Sequence, residues 1–108
     1  MAPATATGPI GSSDLSVALR DPDPFVRVEA IGRAGGDIDV EPISAALSDD
    51  YPLVRREAVR ALARIGGPTA ARALLQVSAH DLSAEVREEA VGALAEMLRM
   101  ERATGLEA

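Results

Sequence analysis

The feature that most constrains this chain is internal repetition. Three segments align without a gap: DPFVRVEAIGRAG from Asp23, YPLVRREAVRALA from Tyr51 and SAEVREEAVGALA from Ser83. Each contains Val, Arg, any residue, Glu, Ala. The pairs are Val26 and Arg27, Val54 and Arg55, and Val86 and Arg87, which spaces the arginines 28 and 32 residues apart. A repeat of this period is one supersecondary unit that cannot bury its apolar face alone, so neighbouring units must stack. The unequal spacing places the length change in a connection. Between the Val-Arg segments runs a weaker series: DLSVALRD from Asp14, EPISAALSDD from Glu41 and ARALLQVSAHD from Ala71. Each ends in Asp just ahead of the next Val-Arg segment.

The Val-Arg segments carry apolar residues at i, i+4, i+5 and i+8, as in Val54, Ala58, Val59 and Leu62, a helical stripe without strand alternation. Their starts have the chemistry of helix entry. Asp21 to Pro24 contains two Asp-Pro steps, Asp49 and Asp50 precede Tyr51 and Pro52, and Asp81 precedes Ser83. Gly35 and Gly36 close the first of these helices, and Gly66, Gly67 and Pro68 close the second. The pattern predicts six helices, at about Ser13 to Leu19, Pro24 to Ala34, Glu41 to Ser48, Pro52 to Ile65, Pro68 to Ala79 and Ser83 to Arg102. Short connections make successive helices antiparallel. The expected fold is therefore all-α, a right-handed α-solenoid of about three stacked helical hairpins over 13–103. A Pro, Ala and Thr-rich N-terminal tail at 1–12, expected to be disordered, and a short C-terminal tail at 104–108 flank it.

Composition narrows the function classes. Ala, Leu and Val supply nearly all the apolar volume, Phe25 and Tyr51 are the only aromatic residues, and Cys is absent. Disulfides, thiolate metal sites and Cys nucleophiles are thereby excluded, and a reducing cytoplasm is the expected location. The N-terminal segment has no basic stretch followed by an apolar run, and no stretch reaches membrane-spanning length. The net charge is -6 and every basic residue is Arg, a balance that opposes nucleic acid as a partner. The abundance of Ala, Arg, Gly and Pro without Lys suggests a GC-rich, bacterial coding sequence.

The run of Asp, a short Pro-containing turn, Val-Arg, Glu-Ala and a following Ala-Leu resembles HEAT-like repeats, especially the short version found in phycobilisome lyases and many bacterial proteins. The resemblance covers roughly Asp14 to Arg102. It implies a protein-binding fold, with a polar ladder between repeats made by the Asp at the end of one repeat and the Arg of the Val-Arg pair. Asp21, Asp50 and Asp81 with Arg27, Arg55 and Arg87 match those positions. The same resemblance places the second helix of each hairpin on a concave side, where Ser16, Arg20, Ser44, Ser48, Arg72 and Gln76 would form a mixed polar partner surface. The sequence departs from the pattern at Ala34 and Gly35, which stand where the later repeats have Leu62 and Ala63, and Leu94 and Ala95. Looser packing is expected there. The first hairpin also lacks its leading helix and the last Val-Arg helix lacks a following one.

Material for chemistry is sparse. His80 is the only imidazole, at the end of the fifth helix, where meeting the carbonyl end of the helix dipole is its expected role. With Asp81 alone beside it, it matches no metal-ligand spacing. Glu57, Glu88 and Glu89 lie early in their helices, where dipole complementarity and Arg pairing account for them. The glycine pairs lack the residues of a phosphate loop. No catalytic, metal or cofactor residue is expected. The leading expectation is a non-catalytic protein-protein interaction module, an adaptor or accessory subunit of another protein or enzyme. The alternative is a lyase-like factor that holds a chromophore or small ligand for attachment to a protein, which rests on fold analogy alone. A homodimer through the C-terminal helix is also expected, since Leu94, Met97, Leu98 and Met100 spread apolar surface around it.

Overall fold

The computed structural model describes residues 12–34 and 39–105. Helix α1 spans Ser12–Ala18, α2 Pro24–Arg33, α3 Val40–Ala45, α4 Pro52–Ile65, α5 Gly67–His80 and α6 Ala84–Gly105. A single 3-10 turn, Ala46–Ser48, continues α3. Among the described residues there is no strand. The expected tail at 1–12 falls outside the described residues except for Ser12, which opens α1, and so does the Gly35 and Gly36 reversal. At the other end α6 runs on through Thr104 to Gly105, taking in the first two residues of the expected C-terminal tail.

The three Val-Arg helices α2, α4 and α6 pack side by side, with α4 in the middle. The second layer is α1, α3 with its 3-10 turn, and α5. Successive helices pair as three hairpins, α1 with α2, α3 with α4 and α5 with α6, stacked in that order. The i, i+4, i+5, i+8 stripe of α4 is the centre of the core: Val54, Ala58, Val59 and Leu62 are fully buried. They meet Ile31 and Ala30 from α2, Ile43 from α3, Ala70 and Leu74 from α5, and Val86 and Ala90 from α6. Small Ala side chains at Ala30, Ala58 and Ala90, the same repeat position each time, suit close helix approach.

Capping explains the helix starts. Asp23 accepts the Phe25 amide at 2.9 Å and so caps α2, while Pro24 and Pro52 open α2 and α4 with no amide to satisfy. Ser83 Oγ accepts the Val86 amide at 3.4 Å. The reversal between α4 and α5 is made by Gly66 at φ 76°, ψ -172° and Gly67 at φ 91°, conformations that side chains with a Cβ disfavour. At the first repeat, Ala34 is itself buried, and the Arg64 guanidinium lies 3.3–3.4 Å from the Ile31, Gly32 and Ala34 carbonyls at the end of α2. A cation is favourable at that negative end of a helix.

Candidate functional site: an arginine-aspartate ladder and the faces beside it

Each turn that leads into a Val-Arg helix is built by the same carboxylate. Asp21, Asp49 and Asp81 each accept, through Oδ1, the amide two residues on, from Asp23, Tyr51 and Ser83 at 2.8–2.9 Å. This local bond folds the chain back and leaves the second carboxylate oxygen and the backbone carbonyl available. The arginine six residues on donates Nη1 to that carbonyl: Arg27 to Asp21 at 2.5 Å, Arg55 to Asp49 at 2.7 Å, Arg87 to Asp81 at 2.6 Å. The other edge of the guanidinium reaches forward one repeat. Arg27 donates Nε and Nη2 to the two Asp49 oxygens at 2.8 and 3.0 Å, and Arg55 does the same to Asp81 at 2.9 and 3.2 Å. Bidentate pairing of this kind is the geometry for which guanidinium is suited.

The pairs are largely withdrawn from water, with side-chain exposures of 12% for Arg55 and 5% for Asp81. Partial burial pushes the Asp49 carboxyl up. The Arg27 hydrogen bonds, the Tyr51 amide and the charges of Arg27 and Arg55 outweigh burial and hold it below its ordinary value. Asp81 behaves the same way, with burial opposed by Arg55, the Ser83 amide and the charges of Arg55 and Arg87. The hydrogen bond to Asp49 in turn raises Arg27 above its ordinary value against desolvation. The Tyr51 ring adds a face, its centroid 5.7 Å from the Arg27 guanidinium carbon.

The expected ladder thus needs one correction. Asp49, not Asp50, is the carboxylate of the middle rung; Asp50 is exposed and contributes only its carbonyl, 3.3 Å from Arg55 Nη1. The reason is the turn, which requires the carboxylate two residues before the helix-capping position. A constant spacing of six residues from Asp to Arg, as in Asp21 and Arg27 or Asp81 and Arg87, was the available signal. A second set of charges includes the Arg pairing expected for Glu57 and Glu89, with the partners of Glu89 on a neighbouring helix. Arg60 Nε meets Glu89 Oε2 at 3.0 Å, and Arg56 lies 3.6 Å from Glu89 and 3.9 Å from Glu85, joining α4 to α6 on an exposed flank. The Arg60 hydrogen bond, ahead of the opposing desolvation, holds Glu89 below its ordinary value.

On the α1, α3 and α5 layer, Ser16, Arg20, Ser48, Arg72 and Gln76 are exposed and Ser44 is half-buried. Two of them, Ser16 and Arg20, rim a groove of about 290 Å³ between α1 and α3, whose other walls are Leu19, Pro42, Ala45, Ala46 and Asp49. Arg72 and Gln76 lie apart from it on α5. On α6 the two methionines differ: Met97 packs against the core, whereas Met100 is 63% exposed. Phe25 and Tyr51, at 68% and 51% exposure, stand on the turn edge and line neither this groove nor the shallow one edged by Arg56, Glu85, Glu88 and Glu89. His80 is exposed in the last turn of α5, where the Asp81 amide donates to the Val77 carbonyl at 3.0 Å. Among the described residues no cluster of His, Asp and Glu has the makings of a metal site, and no helix is long and apolar enough to cross a membrane.

Stacked helical hairpins joined by a repeating side-chain ladder define an α-solenoid repeat protein. The family model for HEAT repeats matches residues 12–95, and the chain belongs to that family. No match was found among curated proteins or among solved structures.

Proposed function

We propose that this chain is a non-catalytic protein-interaction module, an adaptor or accessory subunit that works in the cytoplasm and holds another protein along its α1, α3 and α5 layer. The observation that carries the reading is the groove between α1 and α3. It has an apolar floor of Leu19, Pro42, Ala45 and Ala46, with Ser16 and Arg20 at its rim. Arg20 is exposed and has no ion pair among the described residues, in a chain of net charge -6. A partner segment with an apolar side chain and a carboxylate fits that combination. HEAT repeats commonly serve protein interaction, and the ladder arginines are occupied in holding the repeats together. The lyase-like alternative gains no support from Phe25 and Tyr51, which do not line the groove.

A photo-crosslinking residue at Ser16 should capture a discrete partner in cell extract, and Arg20→Glu should abolish the capture without loss of helicity. Equal capture from a crosslinker at Glu88, on the opposite layer, would sink the assignment of the face. The C-terminal-helix homodimer remains a second proposal for self-association, favoured by Leu98 and Met100 at 57% and 63% exposure. Met100, rather than Met97, would be its contact residue.

A further inference from the structure

Four large apolar side chains stand exposed along one edge of the molecule. The turns at 21–25, 49–53 and 81–85 are held side by side, since Arg27 bonds both Asp21 and Asp49, and Arg55 bonds both Asp49 and Asp81. On these turns Phe25, Tyr51, Leu53 and Leu82 are 68%, 51%, 43% and 94% exposed. The turns do not require them. Each turn is built by its first Asp and the amide two residues on, so the position between is free, and Pro22, Asp50 and Leu82 occupy it in turn. The position of Phe25 is held by Leu53 and Glu85 in the other two turns. A leucine at 94% exposure adds almost nothing to the fold, and a row of such side chains on neighbouring turns marks an interaction surface.

Charge and spacing decide what fits the row. Asp23, Asp50 and Glu85 place one exposed carboxylate on each turn, and no basic residue belongs to the three turns. Arg27 and Arg55, the nearest cations beneath, are engaged in the ladder. Packed helices lie about 8–10 Å apart, and the turns that lead into them share that spacing. A polyproline II segment advances about 9 Å for every three residues, which brings each third side chain level with one turn of this edge. Phe25, Tyr51 and the exposed rings of Pro22 and Pro52 are the kind of surface on which such a segment packs. We propose that this edge docks a basic, extended segment of another protein, with Arg or Lys at about every third position and apolar residues between. The cations meet the carboxylates and the aromatic faces, as Arg27 already meets Tyr51 at 5.7 Å, and the apolar residues cover Leu53 and Leu82. The edge is separate from the groove between α1 and α3, and the inference does not rest on that groove.

The test is fluorescence anisotropy of a labelled peptide of Arg-Pro-Leu repeats, long enough to cross the three turns, titrated with the full chain. Binding should saturate and should weaken with added salt. Leu82→Ser should weaken it about tenfold, through the loss of one leucine from the contact, and Asp50→Lys about threefold or more. Both side chains are exposed, so circular dichroism of the two variants should match the wild type. Glu101→Lys makes the same change in net charge on exposed α6 and should leave binding as it is. A peptide with Glu in place of Arg should not bind. Absence of saturable binding would overturn the proposal. Equal losses from Glu101→Lys and Asp50→Lys would also overturn it, because net charge alone would then account for the contact. So would a peptide that does not bind while Leu82→Ser abolishes self-association in light scattering or binding to phosphatidylcholine vesicles, which would assign the row to a second copy or to a membrane surface.

Discussion

Replacing Arg55 by Ala removes four hydrogen bonds at once: two to Asp81, and one each to the Asp49 and Asp50 carbonyls. The larger effect is on what stays behind. Asp81, with its side chain 5% exposed, would keep the Ser83 amide as its hydrogen bond and only the charge of Arg87 as a counterion. Breaking a buried pair from one side costs about 3–5 kcal/mol, whereas an exposed pair is worth about 1 kcal/mol or less. The turn lies near the surface and water can enter once the arginine is gone, so about 2–3 kcal/mol is expected. For a domain of this size that is a fall in Tm of roughly 10–20 °C. Arg87→Ala is the internal control. It occupies the same repeat position and makes the same carbonyl bond, but meets no forward aspartate among the described residues, so it should cost only about 0.5–1.5 kcal/mol. Urea unfolding followed by circular dichroism, at concentrations where the protein is monomeric, measures both. Equal losses for the two variants would refute the argument, because the forward carboxylate would then contribute nothing.

The same carboxylates set the acid response. Asp49, Asp81 and Glu89 have folded-state pKa values below their ordinary ones, so below about pH 5 the folded chain binds fewer protons than the unfolded chain. Their contribution is fully present above about pH 5 and is lost as the pH falls below about 4, so Tm should be level from pH 7 to 5 and drop beneath that. In Arg55→Ala the drop should be shallower; an unchanged acid slope would count against the pairing. Gly66→Ala should destabilise by about 1–3 kcal/mol, since its φ of 76° with ψ of -172° is a region open essentially to glycine alone, although nothing lies within 4 Å of an added Cβ. Gly92→Ala, in the exposed interior of α6 and equally free of contacts, should instead stabilise by about 0.5–1 kcal/mol. A thermal melt of the two alanine variants together would show opposite signs.

What the sequence disclosed follows from what is local. Helix α4 begins and ends where Pro52 and Ile65 were expected, because Pro at the start, the apolar stripe and the glycine pair all act within a few residues. The six-helix pattern and the stack were legible for the same reason. The middle rung was misread because adjacent Asp49 and Asp50 are chemically identical, and only the turn geometry decides which faces the arginine. The Arg60 to Glu89 contact was out of reach because it crosses 29 residues and depends on how α4 and α6 lie side by side.

Position in the stack, however, decides more than residue type does. Ile31, Val59 and Val91 are interchangeable in the repeat pattern, yet the first two are fully buried and the third is 56% exposed. Arg27, Arg55 and Arg87 are identical in chemistry, yet among the described residues two hold a forward carboxylate and one does not. In a stack where each repeat contacts only its neighbours, an end position keeps the side chains of an interior one but loses half of its interactions. The unread C-terminal surface was therefore the repeat residue Val91 together with Arg87, whose sequence signature marks them as interior. Sequence reasoning instead singled out the unusual residues Met97 and Met100, and the first of these belongs to the core. A repeat motif reports what a residue can do when it has neighbours on both sides, and the stack decides which of those neighbours are present.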